Sequence, residues 1–481
     1  MPSLYAMPRG LRDSIAVAPS PALTPSARTT GAPGWRWTCA VFSAAFLFLL
    51  ALEAGFRRYA PDGLRFQAWN SERMMQTLSL RDLRDEPLRS LWYLHIQPPL
   101  LDVFRASLAG LHRSLDEASL VDAVDRWTYV AWAAVFAATA ALVFSWLHRL
   151  AGWRTALVGT VLWVLHPAAI AFATLLDGTA ASAAAFLWFC LEQWRFHRGE
   201  GSVPRLAAAT LVLFFLRSIF QWPFLVLGVL SLVLLRVPAR RVVRYAAVVG
   251  LLAGLYVAKQ FVLFGTPMTS TFDGMNFCRA IGMGEPDVSE LRLPRDIFPG
   301  SLPSPTRAAV LREEEKLGGH YNYNQLDYLR YSAALKHVCR QALRSRPLST
   351  TLASFAQNAL LYGRPSSRYQ PNVLVDRLPW RGAYDFVFSS PVLWLLLLAA
   401  GVSAARRLKG AEDWRHTAAL VLPILYVAAV SVLFEKGENM RFKYFVEPVL
   451  FVFLCSEGAR LATRIRLRRP ATHRTVGDSA G

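Results

Sequence analysis

Several carboxylates and cations in this chain stand where charge is either aimed or costly. Asp62 lies in Pro61-Asp62-Gly63, a turn sequence that points a short carboxylate in a fixed direction. Glu72 follows it in the same polar segment, and Asp177 stands at the edge of an apolar run in Leu176-Asp177-Gly178-Thr179. A positioned carboxylate of this kind accepts a proton from a hydroxyl that would otherwise be a poor nucleophile. Arg217 sits within the apolar run Leu211–Ile219, and Lys259 occupies a matched depth in the run 243–264. A cation held in a membrane is expensive and usually faces a site or a partner. Arg441 and Lys443 precede a last apolar run, and all four cations suit a lipid phosphate. Plainer roles exist for each. Asp62 could be a solvated turn residue, Glu72 an exposed charge paired to Arg73 or Gln76, and Asp177 a helix cap. The cations could snorkel to lipid headgroups.

The elements that must carry these residues are membrane helices. Of 481 residues 54% are apolar and 18% charged, against about 25% charged in soluble domains. Apolar runs long enough to cross a bilayer recur along the chain. The excess of 53 Lys+Arg over 33 Asp+Glu lies in short loops between those runs, so topology explains it better than nucleic acid, for which no motif is present. The fold class is an all-α polytopic membrane bundle. Candidate spans are 35–56, 127–147, 155–174, 178–195, 206–221, 222–236, 243–264, 386–404, 417–434 and 444–461, about ten in all. The pair at 206–236 is either two spans or one broken helix.

Residues 1–34 read as a disordered cytoplasmic tail and 463–481 as a basic one. With the N-terminus in the cytoplasm, every short inside loop is basic: Arg149 and Arg154; Arg195, Arg198 and Arg205; Arg236 to Arg244; Arg406 to Arg415. That places 57–126 and 265–385 outside, with 35–264 as the membrane core and 386–462 as the C-terminal helices. Residues 96–112 carry Pro98, Pro99, Asp102 and Arg105, which makes them a surface helix rather than a span. Cys278 and Cys339 share the second outside segment, where a disulfide is permitted. No His/Cys or acidic cluster calls for a metal or other cofactor.

The string His95-Ile96-Gln97-Pro98-Pro99-Leu100 resembles the His-Pro-Pro-Leu-type motif of GT-C glycosyltransferases, which include protein O-mannosyltransferases and aminoarabinose transferases. The order of the other segments is similar: His166-Pro167 and then Asp177, and near the end Glu438-Asn439-Met440-Arg441, like the Glu-Asn-x-Arg segment of a bacterial branch. Ala171-Phe172-Ala173 departs from the Glu and aromatics of that branch. The resemblance implies an inverting transferase in a bacterial inner membrane with its site outside. Its donor partner would be a polyprenyl-phosphate sugar, and its acceptor a glycan, lipid or protein. Asp62 would be the base, with Asp177 and Glu72 as further catalytic candidates, and Arg217, Lys259, Arg441 and Lys443 would hold the phosphate. His95, Gln97, Glu438 and Asn439 would contact substrate. Asn276 and Asn322, in aromatic, Asn-rich strings that suit sugar rings, are the candidates for acceptor contacts, and the same strings would equally suit a small folded cap. The rivals are a flippase of a lipid-linked sugar, which needs no base, and a non-catalytic partner in envelope assembly.

Overall fold

Glycine, proline and charge decide where the apolar runs break into helices. A computed structural model describes residues 34–59, 71–284, 315–370, 372–406, 408 and 410–468. Asp62 lies outside the described residues. Helix α1 (Trp35–Tyr59) is the first apolar run, and α2 (Leu80–Asp85), α3 (Pro87–Trp92) and α4 (Leu100–Leu111) follow in the first polar segment. Helix α5 (Glu117–Val164) has 48 residues but is broken at Gly152, whose φ of 83° favours glycine. The expected span 155–174 is interrupted too. Pro167 drives His166 into extended backbone, and α6 (Pro167–Ala173) starts anew with His166 Nδ1 accepting from the Ala168 N–H at 3.2 Å.

Next come α7 (Thr179–His197), α8 (Val203–Leu216), α9 (Trp222–Leu234) and α10 (Ala239–Phe264). Small residues along α7, among them Ala180, Ser182, Ala183 and Ala185, are buried and let it sit against α5 and α8. The second polar segment forms α11 (Asp273–Ala280), a hairpin of β1 (Glu315–Lys316) and β2 (His320–Tyr321), α12 (Leu326–Ser345), α13 (Leu348–Tyr362) and α14 (Val373–Asp376). Helices α15 (Arg381–Val387), α16 (Ser390–Ala405), α17 (Ala411–Phe434) and α18 (Asn439–Arg468) complete the chain, and α18 packs on α5 and α7.

This is an all-α integral membrane protein. Four helices are long and apolar enough to cross a bilayer, in Trp35–Gly55, Glu117–Val164, Ala239–Phe264 and Trp414–Phe434. The bent pair of α15 and α16 makes a fifth if it is one span. Hydropathy windows run across breaks that the fold respects. Helices α8 and α9 have 14 and 13 residues, so each is only roughly 20 Å long. They are not one broken rod. Tyr245 of α10 meets both: its hydroxyl lies 2.9 Å from Thr210 Oγ1, and a Cβ on Gly228 would collide with it. Thr210 and Gly228 are equally far in sequence from Ile219, so the chain folds back there.

The two polar segments pack into one cap with its own core, which includes Leu78, Leu94, Ile96, Phe272, Met275 and Leu335. A disulfide joins Cys278 of α11 to Cys339 of α12. Helix α4 is not a free surface helix, because its two charges are buried. Arg105 donates to Asp102 at 2.7 Å and to Glu72 at 2.8 Å, and all three are fully buried. At the opposite end of the bundle the basic loops meet: Arg149 pairs with Glu200, and Arg205 lies 3.2 Å from Glu192.

His95 stitches the cap. Its N–H donates to Asn324 at 3.0 Å, its Nδ1 lies 2.8 Å from Thr271 Oγ1, and its carbonyl accepts from the Thr271 N–H. Burial, helped by the Lys259 charge, pushes its pKa down from 6.5 to about 3. The unfolded chain therefore binds the proton first as pH falls. Stability from this source is complete above pH 6.5 and is lost as pH drops towards about 3. The unfolding midpoint of the detergent-solubilised protein should fall between about pH 7 and about pH 5, and His95→Asn should flatten that fall. Parallel pH profiles for the two proteins would contradict the assignment.

Candidate functional site

Asp177 stands just ahead of α7, where the first N–H groups of the helix lack intrahelical acceptors. Its Oδ1 accepts from the Thr179 N–H at 2.8 Å and its Oδ2 from the Thr179 hydroxyl at 2.7 Å. Gly178 and not Asp177 holds the N-cap position of α7, yet the carboxylate still satisfies a first-turn N–H, and it does more. Its Oδ2 also accepts from Arg217 Nη2 at 2.5 Å and from Arg441 Nη1 at 3.3 Å. Arg217 reaches it from the turn between α8 and α9, where the backbone has left the helix (φ −143°, ψ 135°). The side chain passes so close to Gly178 that a Cβ there would lie 3.3 Å from Arg217 Nε.

Arg441 arrives from the first turn of α18. It pairs with Glu438 on the same helix face, and Tyr369 donates to Glu438 at 3.2 Å. The Arg441 guanidinium lies 5.5 Å from the centre of the Tyr369 ring. The turn leading into α18 contains Gly437 at φ 99° and is held by Asn439. That side chain accepts from the Gly437 N–H and donates to the Ser431 and Glu435 carbonyls. Glu435 is buried beside this turn, and burial, then the Glu438 charge, raise its carboxyl well above the usual range.

Asp177, Arg217, Tyr369, Glu438 and Arg441 line a cavity of about 120 Å3. The first polar segment supplies Met74 to Thr77, Gln97 and Leu101; the second supplies Phe272, Arg279, Tyr369 and Gln370. Lys316 holds the 74–77 wall by donating to the Met74 carbonyl at 2.7 Å and the Thr77 carbonyl at 3.1 Å. Burial lowers its pKa from 10.5 to about 8. Gln97 donates to Asp102 at 2.7 Å, which links the cavity to the buried Arg105 cluster. Among the described residues, the Nε atoms of Arg217 and Arg441 are buried without a hydrogen-bond partner. The two guanidiniums line the same cavity, so an anion there would meet two cations.

Of the residues singled out in the sequence, Gln97, Asp177, Arg217, Glu438 and Arg441 come together here. Others do not line the cavity. Lys259 is not the second cation beside Arg217; its Nζ donates to the Leu94 carbonyl at 3.2 Å, and Gln260 donates to the same oxygen at 3.0 Å. Lys443 cannot share a face with Arg441, because residues two apart on a helix point roughly 200° apart. It donates to the Arg364 carbonyl and lies 3.3 Å from Glu447. Glu72 is buried, not exposed, and is engaged by Arg105 and the Leu80 N–H. Asn322 is buried and accepts from the Asn324 N–H at 3.1 Å, as a cap residue would. Asn276 lies one turn before Arg279 on α11 without lining the cavity. Arg279 and Tyr369 line the cavity as well, and neither carries a local signal in the sequence.

Comparison with known proteins finds no matching family model, no matching curated protein and no matching solved structure.

Asp177→Asn keeps the capping oxygen but leaves two buried guanidiniums facing each other. It should cost about 3–5 kcal/mol of stability. Adding Arg441→Met should cost less than the sum of the two single changes, since one repelling cation is then gone. Denaturant unfolding of the four proteins measures this, and strict additivity would contradict a shared carboxylate.

Proposed function

We propose that the protein is a GT-C-type inverting glycosyltransferase, using a polyprenyl-phosphate sugar at the outer face of a bacterial inner membrane. The observation that carries the reading is the pair of partly unsatisfied guanidiniums, Arg217 and Arg441, fixed by Asp177 beside the cavity. They would bind the donor phosphate and stabilise the charge that grows on it as the glycosidic bond to the carrier breaks. Arg279 adds a third cation from the cap. The acceptor hydroxyl would attack the anomeric carbon and give its proton to a carboxylate.

Asp177 already accepts from four donors and Glu438 from two, so neither is well placed to take that proton. Asp62 is the proposed base, in the stretch between α1 and the Glu72 region. The proposed threading keeps about ten crossings, with α8 and α9 as a short pair whose tip carries Arg217 to the outer side. A flippase of the same lipid would use the same cations and no base.

Reconstituted protein with labelled polyprenyl-phosphate sugar and envelope extract should transfer label. Asp62→Asn should lower the rate by at least about 100-fold, the scale of general base catalysis, without loss of folded protein. Full transfer in that variant would remove Asp62 from the mechanism. Donor movement across the bilayer with no transfer by the wild type would favour the flippase.

A further inference from the structure

Two consecutive helices in the second polar segment follow opposite rules. Helix α12 is built like a helix at a water surface: Tyr328, Leu335 and Cys339 are buried, while Arg340 and Arg344 are exposed. Helix α13, which starts just after Pro347, is inverted. Its buried residues are Thr351, Ser354, Asn358 and Tyr362, whereas Leu348, Leu352 and Leu360 are 72%, 55% and 65% exposed. Ala356 and Ala359 are exposed as well, and with the three leucines they fall within an arc of roughly 120° around the helix. Thr350 and Gln357 are exposed on a separate strip. From Pro347 to Gly363 no residue is charged, and Arg346 and Arg364 stand at the two ends of that stretch.

The buried polar face has partners inside the protein. Ser354 Oγ donates to the Ile281 carbonyl at 3.2 Å, and Asn358 Nδ2 donates to the Ala280 and Val432 carbonyls, each at 3.0 Å. Past the far end of the helix, Lys443 donates to the Arg364 carbonyl, and Ser366 donates to the Met440 carbonyl at 2.9 Å. So α13 lies across the last turn of α17 and the first two turns of α18. Helix α17 is one of the helices that qualify to cross a bilayer, and Leu433 and Phe434 at its end are exposed beside the carbonyl that Asn358 engages. The apolar arc of α13 thus continues the outer surface of a span at the depth where that span ends. With 15 residues α13 is only roughly 22 Å long, too short to cross a hydrocarbon core of about 30 Å. A short uncharged helix with one apolar arc and a polar strip beside it suits the plane of the membrane surface.

We infer that α13 is an interfacial membrane helix, with its Leu348, Leu352 and Leu360 arc sunk among the acyl chains of the leaflet on the side of the Arg217 cavity. Thr350 and Gln357 then face the headgroups, and the exposed Arg364 meets their phosphates. The second polar segment is therefore anchored in the bilayer rather than carried wholly outside it. The chain runs from α13 through Ser366 to Tyr369 on the cavity wall, so the anchor sets the depth of that wall. This inference stands on the fold and does not depend on what the cavity binds.

The test uses the wild-type chain in phosphatidylethanolamine–phosphatidylglycerol vesicles that carry a phosphatidylcholine with a diazirine in its acyl chain. After photolysis, adducts are mapped by peptide mass spectrometry, with Leu433 of α17 as the lipid-facing standard and Arg344 of α12 as the water-side reference. Parallel vesicles are oxidised by hydroxyl radicals generated in the water. Leu352, Ala356 and Leu360 should carry lipid adducts at the level of Leu433 and at least about tenfold above Arg344. Oxidation of these residues without lipid adducts would overturn the proposal by placing the arc in water. Labelling by neither reagent would also overturn it, because another part of the chain or a second copy would then cover the arc.

Discussion

One carboxylate shared by two guanidiniums fixes the centre of this molecule. Asp177 joins three parts of the chain that are far apart in sequence: the start of α7, the turn between α8 and α9, and the start of α18. Each charge alone would be costly at that depth, since a buried cation without a partner loses its hydration and gains nothing. Together with Glu438 they nearly balance. Their geometry also has a consequence for ligands. Asp177, Glu438 and, at the limit of hydrogen-bond distance, Gln76 engage the outer nitrogens of the two arginines, and both Nε atoms are left without a hydrogen-bond partner.

The cap depends on a second buried ion cluster built on the same logic. Arg105 holds Glu72 and Asp102, and Asp102 in turn holds Gln97 and the Leu78 N–H. This sets Met74 to Thr77 and Gln97 over the arginines, and Lys316 fastens that wall from the second segment. The Cys278–Cys339 bridge closes a long loop in that segment, worth about 4 kcal/mol on the chain-entropy account. The floor of the site is thus a membrane bundle and its roof a cross-linked cap, whose two segments are joined to each other through His95, Thr271 and Asn324.

The sequence was most informative where it broke its own pattern. Arg217 and Asp177 stood out because charge in an apolar run needs a reason, and both lie in the site. Gly152, His166-Pro167 and the turn after Arg217 marked real helix breaks, yet a hydropathy window runs straight across such breaks, so it finds about ten spans where four helices qualify alone. Partners were much harder to read. Arg217 and Lys259 looked paired by depth, but depth says nothing about which way a side chain faces around its helix. Glu72, Asp102 and Arg105 look like solvated charges in sequence because each is expensive to bury alone; only their mutual contact makes burial affordable. Tyr369 and Arg279 carried no local signal, because only tertiary packing brings them to the cavity.

Arg217 and Arg441 are proposed to hold the phosphate of a lipid carrier. Mass spectrometry of lipids co-purifying with the wild type and with Arg217→Ala, each after incubation with candidate polyprenyl-phosphate sugars, tests it directly. The account predicts a polyprenyl-phosphate sugar retained by the wild type and lost from the variant. Bulk phospholipid alone in both preparations would contradict it.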